Sequence, residues 1–416
     1  MRLKFYYFIV FLSSFMLNDL ATIVVVEISG FKLYVADIIL CFVMMIFFFN
    51  YLYSWRKRKF SLLEKVYTLF LFYLLVQLII GFQIYGFRAI GEFRSASYFF
   101  LFCIPAYLLE NTEPIDEKLV LDIVAKTLLL SASAAFIMFV IEMSIGERFY
   151  ISQINRELFT NFSDFRGMRI LDSYQTFNLL AISLYFILKY EIYNVINKKE
   201  ILFSIIAIVS VIITRNRASL FALLTSFFLF LAFNRRIRIL LMFMSISIAV
   251  IFAIYMLSPN LSEQIINAFQ MGLKPEEDPT GKWRLAVQGV ALAQGLLTPY
   301  FGQSYGGYFK FDVPGMGFMD ITPHNQFLSL FLKTGGLGVG LLITIFIIYL
   351  VKYIKAIKLT IDKKARHILI ILFIIVFSQL IYGFSYDFVP FFSLYLGFSS
   401  FIIEKTCKST NFSEKH

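Results

Sequence analysis

The chain is poor in charge, in cysteine and in histidine, and each scarcity excludes something. Only 16% of its 416 residues are Asp, Glu, Lys or Arg, against about a quarter in an ordinary soluble domain. With 59% apolar residues, that excludes a soluble enzyme and a disordered chain. Three cysteines without any Cys-x-x-Cys spacing signal no disulfide framework, zinc site or redox pair. Cys41 and Cys103 sit in apolar runs, and Cys407 lies in the tail. The alternating segments of about ten residues that mark an outer-membrane barrel are missing. So is a Lys/Arg block beside a stacking aromatic platform of the kind single-strand binders use; the net charge of +11 therefore does not point to nucleic acid. No internal repeat or low-complexity linker divides residues 1–416, which read as one integral membrane domain. No A-x-A-like cleavage site follows the basic N-terminus, so its apolar run reads as an uncleaved first span.

What is present is apolar runs of about 18–25 residues, long enough for the ~30 Å hydrocarbon core of a bilayer. The fold class expected is all-α, a polytopic membrane protein of about twelve helices. The spans lie near 5–26, 33–53, 62–82, 95–110, 119–141, 173–189, 200–214, 217–233, 237–257, 325–351, 367–384 and 388–403. An even number puts both ends on one side. The basic stretches Arg56 to Lys59, Arg235 to Arg238 and Lys352 to Arg366 fall on that side too, which is therefore cytoplasmic by the positive-inside rule.

Under this topology the two basic residue types separate. The inner side holds 16 Lys and 7 Arg; the outer side holds 4 Lys and 9 Arg, at 88, 94, 148, 156, 166, 169, 215, 217 and 284. Lys126 and Lys333 fall within spans. Lys serves as a topology anchor, whereas the planar fork of Arg binds phosphate through two parallel hydrogen bonds. An outer face that prefers Arg suits an anionic phosphate ligand; interface packing is the alternative. Two outer segments are long, 142–172 and 258–324. The second holds six of the nine Pro and nine of the 21 Gly. Within it Lys282 to Leu297 lacks Pro and reads as an amphipathic helix lying on the membrane. Gly302, Gly306, Gly307, Gly315 and Gly317 mark a turn-rich, irregular stretch after it.

Few residues remain that could carry chemistry. Of three His, His416 is the last residue and His367 follows a cytoplasmic basic cluster. His324 closes the long outer loop in Thr322-Pro323-His324-Asn325-Gln326-Phe327, at the mouth of a span. A His at a membrane–water boundary can titrate near neutral pH and act as a general base; a capping or interface His is the alternative. Arg215 and Arg217 sit in a tight outer hairpin, where charge is costly unless it faces water or an anion. Snorkelling or interface anchoring is the alternative there. Arg284 stands beside Trp283, facing the headgroup layer on this reading. The outer acidic residues, Asp312 and Asp320 among them, lack a DxD spacing, so no metal is expected.

Arg217-Ala218-Ser219-Leu220, Trp283-Arg284-Leu285-Ala286, Pro299-Tyr300-Phe301-Gly302, His324-Asn325-Gln326-Phe327 and Gly335-Gly336-Leu337-Gly338 occur in this order. Together they resemble the bacterial O-antigen ligase and polymerase superfamily. Tyr34-Val35-Ala36-Asp37-Ile38-Ile39-Leu40 is similar to a frequent N-terminal feature of that group. The resemblance implies a multispan glycosyltransferase of the bacterial inner membrane. Both termini would be cytoplasmic, and 258–324 would be a periplasmic loop carrying the active site before span ten. It implies a glycan donor on undecaprenyl diphosphate, with no nucleotide sugar, cofactor or metal. It assigns Arg217 and Arg284 to the lipid diphosphate and His324 to activation of the acceptor hydroxyl. Where the family usually shows one Arg this chain has Arg215 and Arg217, so Arg215 stays a second candidate.

The leading expectation is a polymerase of lipid-linked repeat units. The alternative is a ligase that passes the same glycan to lipid A-core. The Phe-, Ile-, Asn- and Lys-rich composition, common in sugar-specific gene clusters, favours the polymerase modestly. A flippase or transporter fits less well, since two related halves and midplane charges beyond Lys126 and Lys333 are missing. The partners expected are the lipid-linked oligosaccharide, membrane lipid and, as a further candidate, a chain-length regulator protein.

Overall fold

The structure is a computed structural model that describes residues 24–28, 31–54, 59–105, 225, 228–229, 279–307, 309–313, 317–320, 323–360, 363–384 and 392–413. The spans expected at 119–141, 173–189, 200–214 and 237–257 lie outside the described residues, as do most of 5–26 and 217–233, the loop 142–172, and Arg215 and Arg217.

The described chain is mostly helical, as expected, with two short hairpins beside the helices. It opens on an antiparallel hairpin, β1 (Val24–Ile28) and β2 (Phe31–Tyr34). The helices are α1 (Val35–Ser54), α2 (Leu62–Tyr85), α3 (Phe87–Ser97, continued by a 3-10 turn over Tyr98–Phe102), α4 (Pro279–Gly295), α5 (Gln326–Leu359), α6 (Lys363–Gly383) and α7 (Phe392–Ser413). A second hairpin, β3 (Lys310–Val313) and β4 (Gly317–Asp320), occupies part of the stretch that reads as irregular from its glycines. Among the described residues two helices, α2 and α5, are long and apolar enough to cross a membrane. At 24 residues α2 is about 36 Å long, enough for a core of about 30 Å.

Local chemistry explains the helix ends. Ser61 and Glu64 form a capping box: the Glu64 amide donates to Ser61 Oγ at 3.3 Å, and the Ser61 amide donates to Glu64 Oε2 at 2.9 Å. Gly86 stops α2 at a φ of 63°, a left-handed conformation that glycine adopts without steric penalty. This stop starts the next helix at Phe87, eight residues before the span expected at 95–110. At the head of α1 the Tyr34 amide donates to Asp37 Oδ2 at 2.9 Å. Arg94 clasps the same carboxylate with two hydrogen bonds, 2.6 and 2.8 Å, and lays its guanidinium 4.3 Å from the centre of the Tyr34 ring. The Tyr34-to-Leu40 motif is thereby a clamp between the first hairpin, α1 and α3.

Aromatic rings fill the main core. Tyr67 stacks on Phe102 at 3.8 Å and donates its hydroxyl to the Phe99 carbonyl at 2.9 Å. Tyr353 stacks on Phe373 at 4.2 Å. Gly397 lets α7 approach the 3-10 turn closely, since a methyl group there would meet the Phe102 carbonyl at 2.7 Å. The end of α5 remote from His324 is tied to α7 by Lys352 Nζ and Glu404 Oε1, 2.7 Å apart.

Helix α5 is broken. Gly335 has φ 63° and ψ −167°, so the helical ladder stops there and its polar groups need other partners. The loop 299–304 supplies most of them. The Gly336 amide donates to the Pro299 carbonyl at 2.7 Å and the Leu337 amide to the Tyr300 carbonyl at 3.2 Å. In return the Gln303 amide donates to the Leu332 carbonyl at 2.8 Å, and the Ser304 amide to the Lys333 carbonyl at 3.0 Å. Tyr73 Oη completes the set, donating to the Thr334 carbonyl at 2.7 Å.

Candidate functional site

A separate unit, called outer after the topology expected above, is built on α4. Trp283, Val287, Ala291 and Gly295 recur every four residues, so they share one helix face. Val287 and Ala291 are fully buried with Phe309 and Leu332, and Trp283, Phe311 and Leu328 pack around them. Gly295 brings α4 close to α5, since a methyl group there would meet the Phe331 ring at 2.7 Å. This small core is separate from the main one. The helix expected over 282–297 is therefore present, but its inner face lies on the first turns of α5. Its other face is apolar and exposed at Leu285, Leu292, Leu296 and Leu297, and continues into Tyr300 and Phe301.

His324 sits where the outer segment turns into α5. Its φ of 49° is left-handed, a strained conformation for a residue with a side chain and one that clusters at functional sites. Asn325 then caps the helix, its Oδ1 accepting from the Phe327 and Leu328 amides at 3.0 and 3.1 Å. Pro323 on one side and Gln326 on the other are buried, and Phe327 lies 4.8 Å from the Phe384 ring. The His-Asn-Gln-Phe motif thus divides its labour: Asn325 caps, Gln326 and Phe327 anchor, and His324 is left half-buried. The His324 ring meets Trp283, with centroids 5.3 Å apart and planes at 54°.

The structure therefore brings the Trp283-Arg284 motif and the His324 motif together. Arg284 follows Trp283 on the same turn, leaves the helix about 100° further round, and is half-buried. Its neighbour Lys282 is exposed. Arg215 and Arg217, the other diphosphate candidates, lie outside the described residues.

Two of the arginines expected on the outer side are accounted for otherwise. Arg94 is held by Asp37, and Arg88 Nε lies 3.3 Å from Glu92 Oε1. The outer count of nine Arg therefore overstates the supply of phosphate forks: these two hold carboxylates.

Reading the sequence alone missed what Pro299-Tyr300-Phe301-Gly302 and Gly335-Gly336-Leu337-Gly338 do for each other. Gly302 has φ 72°, and a methyl group on it would lie 2.5 Å from the Lys333 carbonyl carbon and the Thr334 nitrogen. A methyl group on Gly335 would collide with the Tyr300 carbonyl. The two motifs are the two halves of one close backbone crossing. A polar chain runs beside it: Ser304 Oγ donates to Gln77 Oε1 at 2.6 Å, and Gln77 Nε2 donates to Tyr73 Oη at 2.9 Å. Tyr305 is buried against Phe93, ring centroids 5.0 Å apart. Burial, reinforced by Tyr73 and the Glu92 carboxylate, pushes its phenol far above the ordinary tyrosine range, so it stays protonated. Among the described residues no three His, Cys, Asp or Glu side chains group together.

Chemically, the unit offers an imidazole held by a ring and by the backbone, with a guanidinium on the adjoining helix turn. It stands at the head of a helix long and apolar enough to cross a membrane. Residues 202–343 match a family model described as O-antigen ligase. That match supports a place for the chain in the O-antigen ligase and polymerase superfamily, whose members are membrane-associated, glycosyltransferase-like enzymes. The matched stretch includes Arg217, Arg284, His324 and the Gly335 break. No curated protein matches the chain.

Proposed function

We propose that the protein is a polymerase of lipid-linked polysaccharide repeat units in the bacterial inner membrane. The glycan moves from undecaprenyl diphosphate to a sugar hydroxyl of the next lipid-linked repeat. The observation that carries this reading is the outer unit itself: His324 held against Trp283 at the start of α5, with Arg284 beside it, within an O-antigen ligase domain.

His324 accepts the proton of the acceptor hydroxyl as that oxygen attacks the anomeric carbon. The bond from that carbon to the diphosphate oxygen breaks, and the lipid diphosphate leaves with the electron pair. Arg284, together with Arg217 or Arg215, stabilises the charge on the leaving oxygens. The step needs no metal, because the arginines supply the positive charge. The apolar outer edge at Leu296, Leu297, Tyr300 and Phe301 supports contact with a lipid surface. On this reading twelve spans put both termini in the cytoplasm and the outer unit in the periplasm.

The deciding experiment is a deletion strain examined on a surface-polysaccharide gel. Loss of the ladder with one repeat still attached to core identifies the polymerase. Loss of every repeat from core, with lipid-linked polymer accumulating, identifies the ligase instead. Unchanged glycan overturns both.

A further inference from the structure

Lys333 lies in α5, two residues before its break, and its side chain is only 17% exposed. A largely buried cation needs a partner, and one comes from 241 residues earlier in the chain: Lys333 Nζ forms an ion pair with Glu92 Oε2. The pair also grips the chain between them. Lys333 Nζ donates to the Gly307 carbonyl at 2.8 Å, and the Gly306 amide donates to Glu92 Oε2 at 2.8 Å. Three separate segments, α3, the loop 303–307 and α5, are thereby tied at one point.

That point has a specific location. Beyond it lies the outer unit, with its own small core and with Trp283, Arg284 and His324. Below it lie α2 and the unbroken part of α5. Among the described residues the helical connection between the two, α5, is interrupted at Gly335, so the helix by itself does not set the unit's angle. Backbone hydrogen bonds hold the crossing together; the ion pair adds a charged tie to α3.

We propose that the Glu92–Lys333 ion pair is a positioning latch, which fixes the angle of the outer unit on the membrane-length helices and so sets where His324 and Arg284 stand relative to the reacting bond. The second half of this statement rests on the transferase reading above. Neither residue touches substrate in this proposal; both act through the loop and through α5.

The test uses full-length protein in lipid nanodiscs, with the undecaprenyl-diphosphate-linked repeat extracted from a deletion strain as substrate. The variants are Lys333→Met, Glu92→Gln, the double variant and Lys333→Arg. Lys333→Met removes one of the two cations that Glu92 holds, Arg88 being the other, and Glu92→Gln removes the carboxylate from Lys333; each lowers yield. The double variant removes both charges and restores yield. Amide hydrogen exchange over 303–307 and 336–337 accelerates at least tenfold in both singles and in the double. Turnover per folded molecule falls about 10²-fold, the scale of a misplacement of about 1 Å, while KM for the lipid-linked repeat stays within about twofold. Lys333→Arg retains most of both properties. The latch is overturned if exchange over these segments is unchanged in Lys333→Met and in the double variant. The positioning role is overturned if the double variant, recovered at full yield, turns over like the parent protein. A parent protein that transfers no glycan defeats the transferase reading instead, and exchange alone then decides the latch.

Discussion

The Trp283 indole and the His324 imidazole lie 5.3 Å apart across 41 residues of chain, with their planes tilted at 54°. The contact couples the middle of one motif to the middle of another. It restrains a side chain whose backbone is already held at a φ of 49°.

His324→Ala leaves abundant, inserted protein with transfer reduced about 10²–10⁴-fold, the usual contribution of a positioned base. Trp283→Phe keeps a ring against the imidazole and is mild. Trp283→Ala removes that ring from the imidazole and reduces turnover by up to about 10²-fold. Polymer yield from membranes with matched protein levels checks all three. Full activity of His324→Ala makes His324 a structural residue of the helix start.

Arg217→Lys and Arg284→Lys retain charge but not the planar fork, and each reduces turnover about 10²–10³-fold, the scale for losing one electrostatic donor. Arg215→Lys and Lys282→Ala are mild in the same assay. If Arg215→Lys is dead and Arg217→Lys is normal, the diphosphate fork belongs to Arg215.

Gly335→Ala and Gly302→Ala each force a side chain into left-handed backbone and into the opposing strand of the crossing. Each destabilises by about 3 kcal/mol or more, from overpacking and backbone strain together. Gly340→Ala is the control: nothing lies within 4 Å of a methyl group there, and alanine favours helix over glycine by about 0.8–1.0 kcal/mol. Thermal unfolding of purified protein in detergent, followed by circular dichroism, ranks the three. Equal melting of Gly335→Ala and Gly340→Ala removes the crossing as a stability element.

On the proposed mechanism, treating purified protein with EDTA leaves transfer intact, because the guanidinium groups would supply the charge that Mg²⁺ supplies in other transferases. Complete loss, restored by added Mg²⁺ or Mn²⁺, draws Asp312 and Asp320 into a metal site and demotes the arginines.

Much of the helical layout was legible because its signals are local. Ser61 with Glu64 spells a capping box, and α2 starts at Leu62 as expected. Asn325 marks the start of α5 within one residue of the expected span, and the helix across 282–297 is found at Pro279–Gly295. What stayed hidden depends on partners far along the chain. Nothing in the spacing around Arg94 reveals Asp37, 57 residues away, so its guanidinium counted as a fork for phosphate. The glycines of 302–317 signalled turns, yet neither the pairing of β3 with β4 nor the fit of Gly302 against Gly335 is periodic. Within the site, His324 and Arg284 were singled out by residue type and position; the role of Trp283 as the wall of the imidazole was not, because an indole beside an Arg reads equally well as an interface anchor.

The crossing at Gly335 also orders the birth of the protein. The groups that complete the broken helix, on Tyr73, Pro299, Tyr300, Gln303 and Ser304, all precede residues 332–337 in the chain. When the break leaves the ribosome, every partner has already been synthesised and can meet it at once. A permuted chain that delivered α5 first would offer the bilayer a helix with bare carbonyls and amides at its break. The natural order of translation spares it that state.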